Sequence, residues 1–294
     1  MKLLSLAPAF LLAALPSVHS WGGLGHETVA YVAANFVHSD TKAYFQNLLG
    51  DNSDDYLAAV ATWADSFRYS HEGRFSAPLH FIDAEDDPPN SCSVKFDRDC
   101  GDSGCVVSAI KNYTSQLLDP SLDKDSRNTA AKFIIQFVGD IHQPLHAENV
   151  DRGGNSIHVL FGRAHTNLHH VWDTSIPEKI VGGYALADAK KWAASLTTEI
   201  QSGSYRSVAR QWLAGMDLND PVSTTLTWAT ESNAIVCSTV MPDGIEGVEN
   251  QDLSGDYYDA AVPVVEQQVA RGGYRLAHWL DLVATGATGF NTEL

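Results

Sequence analysis

The sequence predicts a mainly α-helical protein with a single domain, and three observations support this prediction. Apolar residues recur along most of the chain at the period of a helix, strand-like alternation is scarce, and no Pro-, Gly- or Ser-rich linker divides the 294 residues. With 44% hydrophobic and 19% charged residues, the chain has the composition of a globular protein with a sizeable core. Disordered and collagen-like proteins are therefore excluded.

The first element is expected to be a secretory signal rather than part of the fold. Residues 1–20 combine a basic start, an apolar run from Leu3 to Leu15 and small residues before the expected cleavage site. Cleavage would make Trp21 the first residue of a single domain spanning 21–294. No later stretch reaches the ~20 consecutive apolar residues that a membrane span needs, so we expect a secreted protein without a membrane segment.

The mature chain then carries helical periodicity in seven segments. Segment 128–146 is apolar around much of its circumference, which predicts a central buried helix that ends near Pro144. The other six segments are 23–38, 54–67, 105–119, 185–201, 221–236 and 256–284. Strand is expected only at 156–161, as part of a small β-hairpin near 153–163.

Two long polar connections between these helices hold three of the four cysteines. In a secreted chain four cysteines suggest two disulfides, for which three pairings exist. Cys100 and Cys105 are close enough to form a small loop, which would leave Cys92 to pair with Cys237. The sequence alone does not prove this pairing. Asn112 begins an Asn-Tyr-Thr sequon, which a secretory route makes a glycosylation site.

The charge balance limits how the protein can bind other molecules. Acidic residues outnumber basic ones by 36 to 19, and loss of Lys2 with the leader changes the net charge from −17 to −18. A protein of this sign cannot hold a polyanion on a broad basic surface. A nucleic-acid substrate would have to be gripped locally, by metal ions or by base stacking.

Histidine and aspartate recur at spacings that suit a metal ion. His169 and Asp173 lie one helical turn apart, and imidazole with carboxylate is a ligand pair that zinc accepts. A single pair of this kind is more often a capped or solvated polar face. Several other elements contribute the same side chains, namely His26, Asp65, His80, Asp140 and His146. Several coincidences would be needed to explain them all as surface residues.

Longer motifs carry a family resemblance over essentially the whole mature chain. They are WGxxGHxxVA at 21–30, ATWAD at 61–65, HFIDAEDxPP at 80–89, GDIHQPLH at 139–146, GGN at 153–155, NLHxxWD at 167–173 and GGYRLAxWL at 272–280. With these motifs the chain resembles the S1/P1 nucleases, secreted zinc-dependent single-strand nucleases of fungi and plants. That family shares its helical fold with bacterial zinc phospholipase C.

The resemblance implies three zinc ions in one cleft. The first would be held by the free amine and carbonyl of Trp21, by His26 and by Asp140. The second would be held by Asp65, His80, the shared Asp140 and the residue at position 136. The third would be held by His146, His169 and Asp173. Ions at the bridged spacing of about 3.5–4 Å support in-line attack of a water on phosphorus.

Position 136 departs from the family pattern. The family has histidine four residues before the bridging aspartate, whereas this chain has Gln136. An amide oxygen is a weaker zinc ligand than imidazole. We therefore expect the second zinc to be looser, altered in geometry or absent at low metal concentration, and we expect Gln136→His to tighten it.

Other matching positions imply contacts with substrate. Asp65 and Arg68 would be catalytic, with the Arg68 guanidinium reaching the charge that develops on the phosphoryl oxygens. Phe81 would stack on a base while Asp83 accepts hydrogen bonds from the base edge. The resemblance further implies base-recognising Asn155 and a second stacking residue, Tyr69. His142 and His170 adjoin ligands without matching a ligand position.

These observations together imply a secreted, monomeric zinc endonuclease. It would hydrolyse single-stranded RNA and DNA to 5′-phosphate products and would also act as a 3′-nucleotidase. Two alternatives stay open: a phospholipase C-like phosphodiesterase on the same metal scaffold, and a nucleic-acid-binding relative whose turnover is weakened by Gln136. The base-contact residues Phe81, Asp83 and Asn155 argue against the phospholipase.

Overall fold

The structure is a computed structural model that describes residues 21–287, so the expected leader at 1–20 lies outside the described residues. Within this range helices dominate and one hairpin is the only regular sheet, which confirms the mainly α fold class. The α-helices are α1 (Gly23–Phe36), α2 (Ser39–Leu49), α3 (Trp63–Phe67), α4 (Phe96–Asp99), α5 (Val106–Leu118), α6 (Lys124–Asp140), α7 (Leu168–His170), α8 (Ile176–Val181), α9 (Leu186–Gln201), α10 (Pro221–Ile235) and α11 (Asp256–Thr285). Shorter 3₁₀ turns lie at Ala58–Val60, Arg74–His80, Pro144–Ala147, Ala209–Leu213 and Ile245–Gly247, and π-helical turns at Val171–Ser175 and Val236–Val240.

The centre of the molecule is α6. Its residues 133–140 are all buried, as its apolar circumference predicted, and α1, α2, α3, α5 and α11 pack around it. On one side α1 packs tightly against α11, where a Cβ added to Gly273 would lie 2.5 Å from the Cβ of Val32. The absence of a side chain at Gly273 therefore allows these two helices to approach closely.

Helix prediction failed in two places near the N-terminus. Segment 54–67 forms only a 3₁₀ turn and the short α3, because the polar side chains before it bond their own backbone: Asp51 accepts from Ser53 N and Ser53 accepts from Asp55 N. Helix α2 was not predicted, although its buried residues Thr41, Phe45 and Leu48 follow a helical spacing.

The hairpin consists of β1 (His158–Phe161) and β2 (Ala164–Asn167), which pair antiparallel with His158 opposite Asn167. Its turn contains Gly162 with φ at 63°, a left-handed conformation that favours glycine. β2 leads directly into α7, so the hairpin sets where His169 enters the interior.

Two disulfides fasten the long connections. Cys92 is bonded to Cys237 and Cys100 to Cys105, which is the pairing that the sequence spacing favoured. Within 21–287 no helix is both long enough and apolar enough to cross a bilayer, including the 30-residue α11.

The glycosylation sequon lies on α5, with Asn112 exposed and Thr114 buried. The Thr114 hydroxyl accepts a hydrogen bond of 3.0 Å from the indole Nε1 of Trp279 on α11. The asparagine of the sequon is therefore accessible in the folded protein, while its threonine is enclosed.

Candidate metal centre

Asp140, at the end of α6, is fully buried and faces two histidines at once. Its Oδ1 lies 3.2 Å from His26 Nε2, and its Oδ2 lies 2.9 Å from His80 Nδ1. The same His80 nitrogen lies 3.7 Å from Asp65 Oδ1. We call His26, Asp65, His80 and Asp140 the inner cluster. A carboxylate with one oxygen toward each of two imidazoles has the arrangement that bridges two metal ions.

Close packing with glycines positions the inner cluster. A Cβ on Gly139 would lie only 2.7 Å from His26 Nδ1, so only glycine leaves room for the His26 ring against α6. Gly25 likewise leaves room for Trp21, whose Cβ would be 2.9 Å from an added Cβ. The Trp21 side chain is fully buried. A metal role for the main-chain amine of Trp21 stays a prediction.

A second group, His146, His169 and Asp173, forms what we call the outer cluster. The candidate ligand atoms of these three residues all lie within 4.8 Å of one another, and His169 Nε2 is 3.1 Å from Asp173 Oδ2. Backbone carbonyls fix both rings: His146 Nδ1 donates to His80 O at 2.7 Å, and His169 Nδ1 donates to Gly153 O at 2.6 Å. Because Nδ1 carries the proton in each ring, Nε2 is the nitrogen available to a metal.

The carbonyl that holds His169 belongs to an unusual turn. Asp151, Arg152, Gly153 and Gly154 follow one another with φ values of 47°, 61°, 60° and 74°, all left-handed. Such backbone is costly for Asp and Arg and persists where surrounding contacts determine it. Here the turn directs Gly153 O at His169, and Asn155 Nδ2 donates to Arg152 O at 2.9 Å.

Gln143 and His142 lie next to the clusters in sequence, and their hydrogen bonds differ in direction. Gln143 Nε2 donates to Asp173 Oδ1, which leaves Oδ2 toward His169. His142 donates from Nδ1 to Val138 O, and its Nε2 lies 3.1 Å from Arg275 Nη1. Both nitrogens of His142 are thus engaged away from the clusters, and burial, followed by the charge of Arg275, holds the His142 pKa well below its usual range.

Gln136 is fully buried one turn before Asp140, but its oxygen does not face the inner cluster. Gln136 Oε1 accepts hydrogen bonds from the backbone N–H of Ala64 at 3.0 Å and of Asp65 at 3.2 Å. In the structure this oxygen thus bonds to α3, and the metal role expected for Gln136 stays a prediction. The physical reason for these two bonds is that α3 begins without a side-chain cap, so its first N–H groups take the nearest acceptor.

The electrostatics of the clusters follow from burial and close charge pairs. Burial alone would raise the pKa of Asp140, but the charges and hydrogen bonds of His80 and His26 outweigh it and lower that pKa. For His26 and His169, burial would lower the pKa, but Asp140 and Asp173 respectively raise it. Burial lowers the pKa of His146 to about 4. The clusters thus favour positive charge next to their carboxylates.

The donor set fits zinc. Four imidazoles and three carboxylates, each at most 5% exposed, converge in the two clusters, and zinc prefers such nitrogen and oxygen ligands. The buried Nε2 of His146 makes no hydrogen bond within the described part of the chain, and the Nε2 of His169 faces the Asp173 carboxylate. A cation would satisfy both nitrogens.

A cleft of about 600 Å³ opens onto the outer cluster and reaches its two histidines. The predicted substrate residues Arg68, Tyr69, Phe81, Asp83 and Asn155 all line it. The structure thus gathers at one opening the residues that the motifs singled out.

The predicted contacts differ in exposure. Arg68 is largely enclosed, with its side chain 9% exposed and Nη2 3.5 Å from Asp65 Oδ1, while Tyr69 is 62% exposed at the rim. Burial, together with the charges of Asp99 and Glu85, raises the pKa of Asp83.

Sequence reasoning missed three further residues of the cleft wall: Arg74, Glu148 and Arg152. Burial raises the pKa of Glu148 to about 8. Glu148 lies two residues after a predicted ligand, and Arg152 directly before the GGN motif, so proximity to a motif was the available signal.

Known proteins resemble this chain in sequence over most of its length. The family model described as S1/P1 Nuclease matches residues 21–285. The chain is 52% identical to Nuclease S1 of Aspergillus oryzae, covering 94% of this chain and 96% of that protein. It is 47% identical to Nuclease P1 of Penicillium citrinum, covering 89% and 97%, and 33% identical to Endonuclease 4 of Arabidopsis thaliana, covering 90% and 89%. Among solved structures, alpha-toxin of Clostridium perfringens aligns over 92% of this chain and 65% of its own, with 14% identity and a TM-score of 0.44.

Proposed function

The chain belongs to the S1/P1 nuclease family, and on that premise we propose that it is a secreted zinc nuclease that cleaves single-stranded RNA and DNA. The products would carry 5′-phosphates, and 3′-nucleotides would also be substrates. The observation that carries the proposal is the position of Asp140 between His26 and His80, together with a cleft that reaches the outer cluster and is lined by Arg68, Phe81 and Asp83. The leader-like residues 1–20 and two disulfides support secretion.

The residues present can hold three zinc ions, one on each side of Asp140 and one in the outer cluster. His26 and Asp140 would hold the first ion together with the Trp21 main chain. Asp65, His80 and the shared Asp140 would hold the second ion. When bound, zinc supplies a water of lowered pKa and polarises phosphate oxygens. The buried surroundings of the clusters strengthen these electrostatic effects because they exclude bulk water.

The chain's own residues bind and orient the substrate. Arg68 is held beside Asp65 with its Nε buried, so its guanidinium can donate hydrogen bonds to a phosphoryl group without a large rearrangement. Phe81 offers a ring on which a base stacks, and Asp83 offers a carboxylate to donors on the base edge. A paired base would have to leave its duplex to reach Phe81, which explains a preference for single strands.

Activity on defined substrates tests this function. We expect zinc-loaded mature protein to cleave single-stranded DNA and RNA, to lose activity with a chelator and to leave phosphatidylcholine intact. Phe81→Ala should raise KM for single strands by about 5- to 150-fold, because stacking on an aromatic ring contributes about 1–3 kcal/mol per base. Phe75, 56% exposed and outside the cleft lining, provides the matched control Phe75→Ala. Cleavage of phosphatidylcholine in place of nucleic acid would favour the phospholipase alternative.

Blocking the Trp21 amine tests how many zinc ions the protein binds. A main-chain amine that is acylated by preceding residues cannot ligate zinc, so an uncleavable extension before Trp21 should lower both the zinc bound per chain and the turnover. Elemental analysis of both forms measures the first effect. Equal zinc content and equal activity with the extension would contradict a role for the Trp21 amine.

A further inference from the structure

We infer that Gln136 is a positioning residue rather than a metal ligand: it caps α3 from a neighbouring helix and thereby holds Asp65 in the inner cluster. The inference rests on the proposed function only in taking the inner cluster as a metal site. It starts from the N-terminus of α3, where Thr62 occupies the N-cap position without a side-chain capping bond.

The two N–H groups that Gln136 binds are those that an N-cap side chain normally satisfies. Trp63 is the first residue of α3, so Ala64 and Asp65 are at the second and third helical positions, whose N–H groups lack partners inside a helix. Gln136 Oε1 accepts from both, at 3.0 and 3.2 Å. A residue of α6 thus performs the capping function that Thr62 does not.

Hydrogen-bond chemistry determines the orientation of the Gln136 amide group. Backbone N–H groups are donors, so only the amide oxygen can face them, and both of its lone pairs are used by the two bonds. The other end of the side chain is then the NH₂ group, which donates but cannot ligate a cation. Nε2 is buried and has no acceptor among residues 21–287.

Two consequences follow for the inner cluster. Three side chains, Asp65, His80 and Asp140, remain to hold the ion on the His80 side of the bridge, which is the protein-ligand count of catalytic zinc sites with an open position. A histidine at position 136 could not both ligate the ion and cap α3. A ring that ligates through one nitrogen carries a proton on the other, so it has no acceptor left for the two N–H groups.

Amide hydrogen exchange of the zinc-loaded protein, resolved by residue with NMR, tests the inference. We expect the Ala64 and Asp65 amides to be protected both with and without zinc. Gln136→Met, which keeps the length but removes the oxygen, should speed their exchange by about tenfold or more. Gln136→Glu keeps an oxygen toward α3 and should restore protection. Gln268, another buried glutamine, gives the matched control Gln268→Met, which should leave both amides unchanged.

Metal content and kinetics separate positioning from ligation. At saturating zinc, Gln136→Met should bind as many zinc ions as the wild type, while kcat falls and KM for single strands stays near its original value because Asp65 moves and the base contacts do not. Loss of one zinc ion with both amides still protected would overturn the inference. Loss of protection in the wild type on adding zinc would do the same, since it would mean that the oxygen turns to the ion.

A direct measurement covers the case in which Gln136→Met fails to fold. A scalar coupling across the hydrogen bond, between the Ala64 amide nitrogen and the Gln136 side-chain carbonyl carbon, should be present in the zinc-loaded wild type. Its absence there would overturn the inference. Amide exchange and the scalar coupling do not depend on turnover. An inactive protein would therefore contradict the proposed function and leave these two results on Gln136 intact.

Discussion

Gly139 shows how closely single residues constrain the inner cluster. Asp140 can face His26 only because the preceding residue adds no atom between α6 and the imidazole. The motif GDIHQPLH contained this glycine, but the sequence offered no reason for it until the 2.7 Å approach of an added Cβ to His26 Nδ1 was visible.

We expect Gly139→Ala to displace His26 and to lower the binding of the zinc ion that His26 and Asp140 would hold. The added methyl group would have to push the buried ring away, at a cost on the order of 1–3 kcal/mol in unfolding free energy. Zinc per chain and denaturant unfolding measure the two effects. Gly50→Ala is a poor control because Gly50 has a positive φ, whereas Gly23, with open space around its Cα, gives the matched variant Gly23→Ala. Full zinc content in Gly139→Ala would contradict this account.

His278 on α11 should make stability depend on pH. Burial lowers its pKa to about 4, although the charge of Asp281 partly opposes the shift. A histidine with a lowered folded pKa contributes stability that is present above its unfolded pKa of about 6.5 and is lost as the pH falls toward 4. We expect the free energy of unfolding to fall by up to about 3 kcal/mol more in the wild type than in His278→Phe between pH 7 and pH 4. Urea unfolding at several pH values checks this, and parallel pH profiles would rule it out.

The residues that gather in the candidate metal centre could be predicted from sequence at most positions, but the direction of their side chains could not. The motifs identified His26, Asp65, His80 and Asp140, which the structure brings together. Gln136 was predicted as a weak ligand because the family has histidine at this position, and the sequence did not show that the start of α3 lacks a cap. A hydrogen bond between residues 72 positions apart leaves no periodic signal in the sequence.

At the scale of elements, the helices with a continuous apolar face were predictable and the short ones were not. α1, α5, α9, α10 and α11 lie within two residues of their predicted bounds, because packing and periodicity agree there. α6 begins four residues before its predicted start and ends six residues before its predicted end. The segment around α3 could not be predicted, since local side-chain bonds and a cap from α6 decide its form. The left-handed turn at 151–154 could not be predicted either, because the sequence shows only its two glycines.

The disulfide between Cys92 and Cys237 should stabilise the protein more than the one between Cys100 and Cys105. It joins residues 145 positions apart, against 5 for the other. The chain-entropy relation gives about 5 kcal/mol for the long loop and about 2 kcal/mol for the short one. Unfolding of the two Cys→Ser double variants in urea, with zinc held constant, compares them. A larger loss from the short disulfide would show that native contacts, rather than loop entropy, set the order.

At the scale of the whole molecule, a strongly acidic protein concentrates basic groups at its substrate cleft. The net charge of the full chain is −17, but Arg68, Arg74 and Arg152 all line the cleft that reaches the outer cluster. The sequence predicted that an anionic substrate would be gripped locally. It could not show which arginines the fold collects, because these three belong to separate segments.

This charge distribution predicts a weak dependence of binding on salt. With three arginine contacts and about −0.7 per contact, the slope of log affinity against log salt for a single strand should be near −2. A slow-cleaving thio-substituted oligonucleotide allows the measurement in a salt series. Arg152→Gln should make the slope shallower by about 0.7, whereas Arg163→Gln, outside the cleft lining, should not change it. A wild-type slope steeper than about −4 would require a longer basic track.

The enclosed threonine of the sequon sets an order of events during biosynthesis. A transferase that attaches a glycan to Asn112 must read the Thr114 hydroxyl, and in the finished fold that hydroxyl is covered and bonded to Trp279. Because α11 is synthesised after α5, Trp279 cannot cover the Thr114 hydroxyl until α11 has been made and has docked. If Asn112 carries a glycan, the glycan would therefore have to be attached before α11 docks against α5.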